Sequence, residues 1–282
     1  MTNERQGDAE TGGRSEAANE IPRVTASPPA RVSNHLDLFG LFVEAEVRPG
    51  TNLAALVVEA ADRAGRPIES TDVIVVAQKV VSKAEGRLVP LSEVDPSPFA
   101  LQLGTAHARD PRLIELVLRE SRRIVRMDRG IIIAETHQGF VCANAGIDLS
   151  NVSGGDVACL LPEDPDASAR QLRADIEGLA SVAPGVVISD TFGRPWRAGA
   201  TNVALGVAGL DPIRSHIGEH DPYGYALRAT EVATADELAA AAELVMGKTE
   251  RRPFVLIGGF SGVGAEGGAQ QLVRDPASDL FR

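Results

Sequence analysis

The chain has 282 residues, with 28 Lys and Arg against 39 Asp and Glu for a formal charge of −11, and it is 44 % apolar but only 4 % aromatic. That length exceeds the common single-domain size of about 100–150 residues, so one large or two intimately joined domains are expected. The acidic balance excludes a general nucleic-acid binder. The two cysteines, Cys142 and Cys159, exclude a disulfide scaffold or a C-x-x-C metal knuckle, and no run of about 18 uncharged apolar residues is available to span a membrane. A cytoplasmic enzyme is the simplest expectation.

Residues 1–34 are rich in Ser, Thr, Asn, Glu, Arg, Gly and Pro and nearly lack large apolar groups, so a disordered tail is expected there. Folding is expected from His35 onward. Apolar runs bounded by turn residues predict strands at 36–43, 72–81, 131–135, 139–144, 156–161, 185–189, 202–208 and 254–259. A hairpin is predicted around His137-Gln138-Gly139, and helical spacing predicts helices over 51–64 and 111–122. A further helix follows "DPDAS" and runs through Gln171 to Leu179, with Asp166 or Ser168 as its cap. The last runs from Thr234 to Met246, where Thr234 and Glu237 have capping-box spacing and Gly247 suits a C-terminal cap. Helices and strands mix without strict alternation, which predicts α+β rather than a doubly wound parallel sheet.

Two segments share a chemical design. "GFVCANAGIDLSN" and "PGVVISDTFGRPWRAG" each end an apolar run in an acid beside hydroxyl or amide oxygens: Asp148 with Ser150 and Asn151, and Asp190 with Thr191. Such oxygen sets suit a hard cation such as Mg²⁺ or Mn²⁺, although Asp also caps turns often. "QKVVSKAEGRLV" places Lys79, Ser82, Lys83 and Arg87 around a strand exit and a Glu85-Gly86 turn, either a phosphate cradle or a solvated surface. Arg194 and Arg197 add planar forks suited to phosphate or carboxylate and are candidate substrate clamps. Gly262, Gly264 and Gly267 match G-x-G-x-x-G, but they leave no room for the βαβ unit of a dinucleotide fold. His137, His216 and His220 lack paired-ligand spacing and read as turn or surface residues.

"VVSKAEGR" (80–87), "NAGIDLSN" (144–151), "LLPEDPDASA" (160–169), "SDTFGRPWRAG" (189–199), "GLDPIR" (209–214), "DPYG" (221–224) and "TADELAAAAELVMGK" (234–248) occur in the order of the coenzyme F-420-0:L-glutamate ligase family, which the chain resembles over about residues 36–282. The resemblance implies an α+β fold of two intimately joined domains paired into a butterfly-like homodimer. It also implies a GTP-dependent ligase that joins L-glutamate to the lactyl carboxylate of the deazaflavin precursor F-420-0, then adds further glutamates by γ-linkage, with Mg²⁺ or Mn²⁺ and a monovalent cation such as K⁺. Some members carry a C-terminal nitroreductase-like domain, whose activity is not expected of a sequence ending at Arg282.

By motif, the resemblance makes Asp148 and Asp190 the catalytic acids that hold a first metal, and Thr191 a second-metal position. It assigns Asn151, Gln78, Lys79 and Lys83 to the nucleotide, along with a turn at Leu38, Phe39, Gly40 and Leu41 and a loop from Met246, Gly247, Lys248 and Thr249 to Pro253. Where some members place a Glu on the second metal, this chain has Lys248, which cannot ligate a cation while charged. Either the second metal is held otherwise, or Lys248 meets phosphate. Two other classes use the same acids or cleft: a metal-dependent nucleotide phosphohydrolase, and a non-catalytic deazaflavin or nucleotide carrier.

Overall fold

A computed structural model describes residues 35–149 and 156–280. The expected tail at 1–34 and the nucleotide contact Asn151 lie outside the described residues. In chain order the elements are β1 (Asp37–Leu41), α1 (Leu53–Arg63), β2 (Val73–Ala77), α2 (Gln78–Ala84), β3 (Leu88–Pro90), α3 (Pro98–His107) and α4 (Pro111–Arg119). There follow β4 (Ser121–Asp128), β5 (Ile131–Thr136), β6 (Val141–Ala143), β7 (Val157–Cys159), α5 (Pro165–Ala180), β8 (Gly185–Arg194) and β9 (Arg197–Ala208). The chain continues through β10 (Arg214–Ser215), β11 (Glu231–Val232), α6 (Thr234–Met246) and β12 (Phe254–Gly258).

The main sheet has the order β1-β12-β2-β8-β9. Only β2 and β8 run parallel; the other three pairings are antiparallel. This mixture of helices with largely antiparallel sheets agrees with the α+β expectation. The period of two decides which face each side chain enters. Ile74, Val76, Val186, Ile188, Phe254 and Leu256 pack beneath α1 and α5, while Val73, Val75, Val187, Val255 and Ile257 pack beneath α6. Both faces are covered, which explains why β2, β8 and β12 read as continuous apolar runs rather than alternating ones.

Residues 88–149 and 157–159 build a second group of elements. A three-stranded sheet, β4-β5-β6, packs through Ile132 and Ala134 against Ala100, Ile114 and Val117 of α3 and α4, and β3 pairs with β7 as a ribbon.

Several sequence expectations change. The strand predicted over 72–81 stops at Ala77, and α2 begins at Gln78. Val80 and Val81 favour a strand by propensity, but burial of Val81, one turn on from Gln78, favours the helix, and Gln78 reaches Ser82 four residues along. α3 has no clear apolar stripe, with Phe99 and Leu101 exposed, so periodicity misses it. β4 escapes notice because its Arg122, Arg123 and Arg126 face solvent on an edge strand. α5 is capped by Asp164, whose side chain takes the Ala167 N–H at 2.9 Å. Asp166 turns inward instead and accepts the N–H groups of Val207 and Ala269, each at 2.8 Å. Thr234 is the first residue of α6 rather than its cap, and its hydroxyl donates to Val232 O.

Candidate active site

The main sheet brings several strand ends to one place. The parallel register sets Ala77 beside Ser189, so the start of α2 and the Asp190-Thr191 pair emerge together. In open α/β sheets ligands bind beyond the carboxyl ends of parallel strands, and the single parallel pair here offers an end of that kind. β12 is antiparallel and pairs Phe254 with both Val76 and Leu41, so the loop entering it and the chain leaving β1 lie at that same end. On the other side Asn202 of β9 sits opposite Thr191. A β-bulge between Ile188 and Ser189 shifts the register just before the acid, as bulges beside active sites often do.

The result is a cleft of about 1090 Å³. That is at the upper end of small-molecule sites and leaves room for more than one substrate. Of the residues expected at a site, Gln78, Lys79, Lys83, Asp148, Asp190, Thr191 and the loop Met246–Thr249 all line it.

Asp148 arrives from the smaller sheet. After β6, Asn144, Ala145 and Gly146 all have positive φ, at 50°, 52° and 71°. Runs of left-handed backbone are costly for residues with a β-carbon. Ala145 is nonetheless buried, and a β-carbon on Gly146 would fall 2.9 Å from Leu161. The turn ends where Asp148 exchanges backbone hydrogen bonds with Cys159, which carries its carboxylate to Lys79, 2.5 Å away.

Asp190 is half-buried, and burial pushes its pKa up to about 6, with repulsion from Asp148 adding to the rise. The Thr191 backbone N–H, Lys79 and Lys248 pull the other way. Cys142 also lines the cleft, but burial holds its thiol at about 12, so it is protonated and not nucleophilic at neutral pH.

Other expected residues fall elsewhere. Leu38–Leu41 form the edge strand β1 rather than a turn, and the lining begins at Val43. Gly40 supports the loop from beneath: a β-carbon there would meet Arg252 and Val245 at 2.9 Å. Gln78 is buried and its amide is engaged with Ser82 and Leu160 O. Arg194 and Arg197 stand at the tip of the β8–β9 hairpin, outside the cleft lining, where Arg194 donates to Ala198 O at 3.1 Å.

Sequence reasoning missed Asn202 and Glu243, both of which line the cleft, while Arg251 and Arg252 line it from within the loop that the resemblance assigned to the nucleotide. The available signals for the two missed residues were an amide inside an apolar strand and an acid near the end of an alanine-rich helix. Asn202 is almost fully buried, where an amide must find partners; it takes the Thr191 hydroxyl at 2.7 Å and donates to Glu243 at 3.1 Å.

Among the described residues no group of three His, Cys, Asp or Glu side chains could hold a metal ion alone. Two acids lining one cleft fit Mg²⁺ or Mn²⁺ nonetheless, because such ions commonly take one or two carboxylates and complete their shell with water and phosphate oxygens. The mutual repulsion felt by Asp190 and Asp148 is what a cation between them relieves. No helix among the described residues is long and apolar enough to cross a membrane.

Residues 44–259 match the family described as F420-0:Gamma-glutamyl ligase. The chain is 46 % identical over 239 residues to the Coenzyme F420:L-glutamate ligase of Methanothermobacter thermautotrophicus, covering 84 % of this chain and 94 % of that one. It is 45 % identical over 248 residues to the protein of that name from Methanopyrus kandleri, covering 85 % and 95 %. Against the Haloarcula marismortui protein the figure is 41 % over 254 residues, covering 88 % and 96 %. The chain thus belongs to the F420-0:gamma-glutamyl ligase family.

Proposed function

We propose that the protein is a GTP- and divalent-metal-dependent ligase that adds L-glutamate to F-420-0, first at the lactyl carboxylate and then by γ-linkage. The observation that carries this reading is the meeting of Asp148 and Asp190 in one cleft with Lys79, Lys83 and Lys248. The relatives named as L-glutamate ligases support it.

The chemistry follows from charge. A carboxylate and an amine do not condense in water at neutral pH, so the carboxylate must first gain a leaving group. Transfer of the GTP γ-phosphoryl group to a carboxylate oxygen gives an acyl phosphate and releases GDP. The glutamate nitrogen then attacks the carbonyl carbon, phosphate departs and the amide forms as the amine loses a proton. GTP, F-420-0 and glutamate are all anionic, so bringing them together is the electrostatic problem to be solved. Lys79 and Lys83 on α2, with Arg251 and Arg252 before β12, line the cleft with positive charge in a protein of net charge −11. Asp148 and Asp190 would hold Mg²⁺ or Mn²⁺, which neutralises charge gathering on the phosphoryl oxygens. The K⁺ ion, the homodimer and the cytoplasmic location belong to the same reading.

Mass spectrometry after incubating the protein with F-420-0, glutamate, GTP and Mn²⁺ tests it. Products heavier by one or more glutamyl units are expected, with GTP consumed only when both acceptor and glutamate are present. GTP hydrolysis without glutamate would point to a phosphohydrolase, and ligand binding without product to a carrier.

A further inference from the structure

Beside Asp190 four side chains close a ring. Lys248 Nζ lies 2.6 Å from Glu243 Oε1 and donates to Thr191 Oγ1 at 2.7 Å. The Thr191 hydroxyl donates to Asn202 Oδ1 at 2.7 Å, and Asn202 Nδ2 donates to Glu243 Oε2 at 3.1 Å. Ser189 Oγ, 3.4 Å from Asn202 Nδ2, helps fix which way the amide points. Lys248 donates to two members of the ring and Thr191 and Asn202 each pass a donor to the next, and this orientation leaves the Thr191 lone pairs and one Glu243 oxygen converging on a single position. Two hard oxygens, one of them charged, converging on a point make a cation-binding arrangement. Here that point is filled by the ammonium of the chain's own Lys248.

We propose that Lys248 is a tethered cation that takes the place of a second, exchangeable metal ion beside the one on Asp148 and Asp190. This rests on the metal-assisted reading of the cleft given above. The resemblance implies a second metal at Thr191, but the residues present do not fit one. The single carboxylate of Glu243 is neutralised by Lys248, whereas Asp148 and Asp190 together outnumber Lys79; the Thr191 hydroxyl is engaged on both sides, and an ammonium at the converging point repels any further cation. An ammonium carries three N–H donors and the ring uses two, so one remains for an anionic ligand in the cleft that Lys248 lines. Lys248 thus supplies positive charge at a fixed place without needing a free ion.

The test is a count of bound Mn²⁺ on the full chain, read from the electron paramagnetic resonance of the unbound ion with no nucleotide present. One Mn²⁺ per chain is expected for the natural sequence and two for Lys248→Glu, which turns the tethered cation into a third oxygen ligand. Lys248 is exposed, so its substitution leaves the core untouched; should Lys248→Glu still fail to fold, Lys248→Ala, which strips Glu243 of its counter-charge, carries the same expectation of a second ion. Two Mn²⁺ on the natural chain, or one on both natural and variant chains, overturns the proposal. No Mn²⁺ on the natural chain, with ligase activity intact, overturns the Asp148–Asp190 metal reading and this inference with it.

Discussion

Asp148 and Asp190 share a cleft but are delivered to it by opposite means. Asp190 extends from β8, a central strand with apolar packing on both faces, and its place is fixed by register against β2 and β9. Asp148 hangs from a turn of three left-handed residues leaving a three-residue strand at the edge of the smaller sheet. One acid is held by many ordinary interactions and the other by a few strained ones. The two should therefore respond differently to substitution nearby, although removing the charge of either is expected to have the same consequence for activity.

The largest effect is expected from Asp190→Asn or Asp148→Asn. Each should lower the rate of glutamate addition by at least about 10²-fold with the fold retained, because these acids contribute charge rather than packing. The double variant should be scarcely worse than either single one, since both act on one site; additive losses would break the pairing.

Gly146→Ala sharpens the contrast. It places a methyl group against Leu161 at positive φ, so a destabilisation of about 1–3 kcal/mol is expected, accompanied by a fall in rate as Asp148 moves. A melting curve and kcat together check it; a stable but slow variant would mean that the turn acts only on the acid.

A third prediction concerns pH. Burial raises Asp190 from an ordinary carboxylate value to about 6. A carboxyl group raised in the folded state costs nothing below its unfolded pKa near 4. The cost then grows as pH rises and is complete above about 6, amounting to roughly 3 kcal/mol. With metal chelated, Asp190→Asn should thus be more stable than the natural protein at pH 8 and equal to it at pH 4, by denaturant melts. No such crossover would mean that water reaches the acid freely.

The smallest effect is expected at the hairpin tip. Arg194→Ala and Arg197→Ala should leave kcat/KM within about twofold, because neither side chain lines the cleft. A large loss would mean that the β8–β9 hairpin folds over bound substrate.

The main sheet was legible because burial on both faces demands uninterrupted apolar runs, and β2, β8 and β12 supply them. Asp190 was legible for the same reason, since it stands just past the buried run of β8, although the strand itself continues to Arg194; Asp148 instead follows a left-handed turn after a short edge strand. α3 and β4 were hidden because exposed Phe99, Leu101 and arginines mask their periodicity. The ring around Lys248 was illegible as a whole. Its members come from β8, β9, α6 and the following loop, and only pairing of Thr191 with Asn202 across strands brings them together. Gly40 and its neighbours were matched to a turn by motif, but their cross-strand partners on β12 lie more than 200 residues away, beyond any local pattern.

That last pairing bears on how the protein is made. β12 lies between β1 and β2, so strands from the beginning of the chain meet only after one near its end slots between them. Asp166 likewise waits for the amide of Ala269. At about 5–20 residues per second, a ribosome leaves the early strand edges bare for many seconds. Nascent chains therefore expose those edges before the sheet can close, and fewer chains started at once or a holdase should raise the soluble yield.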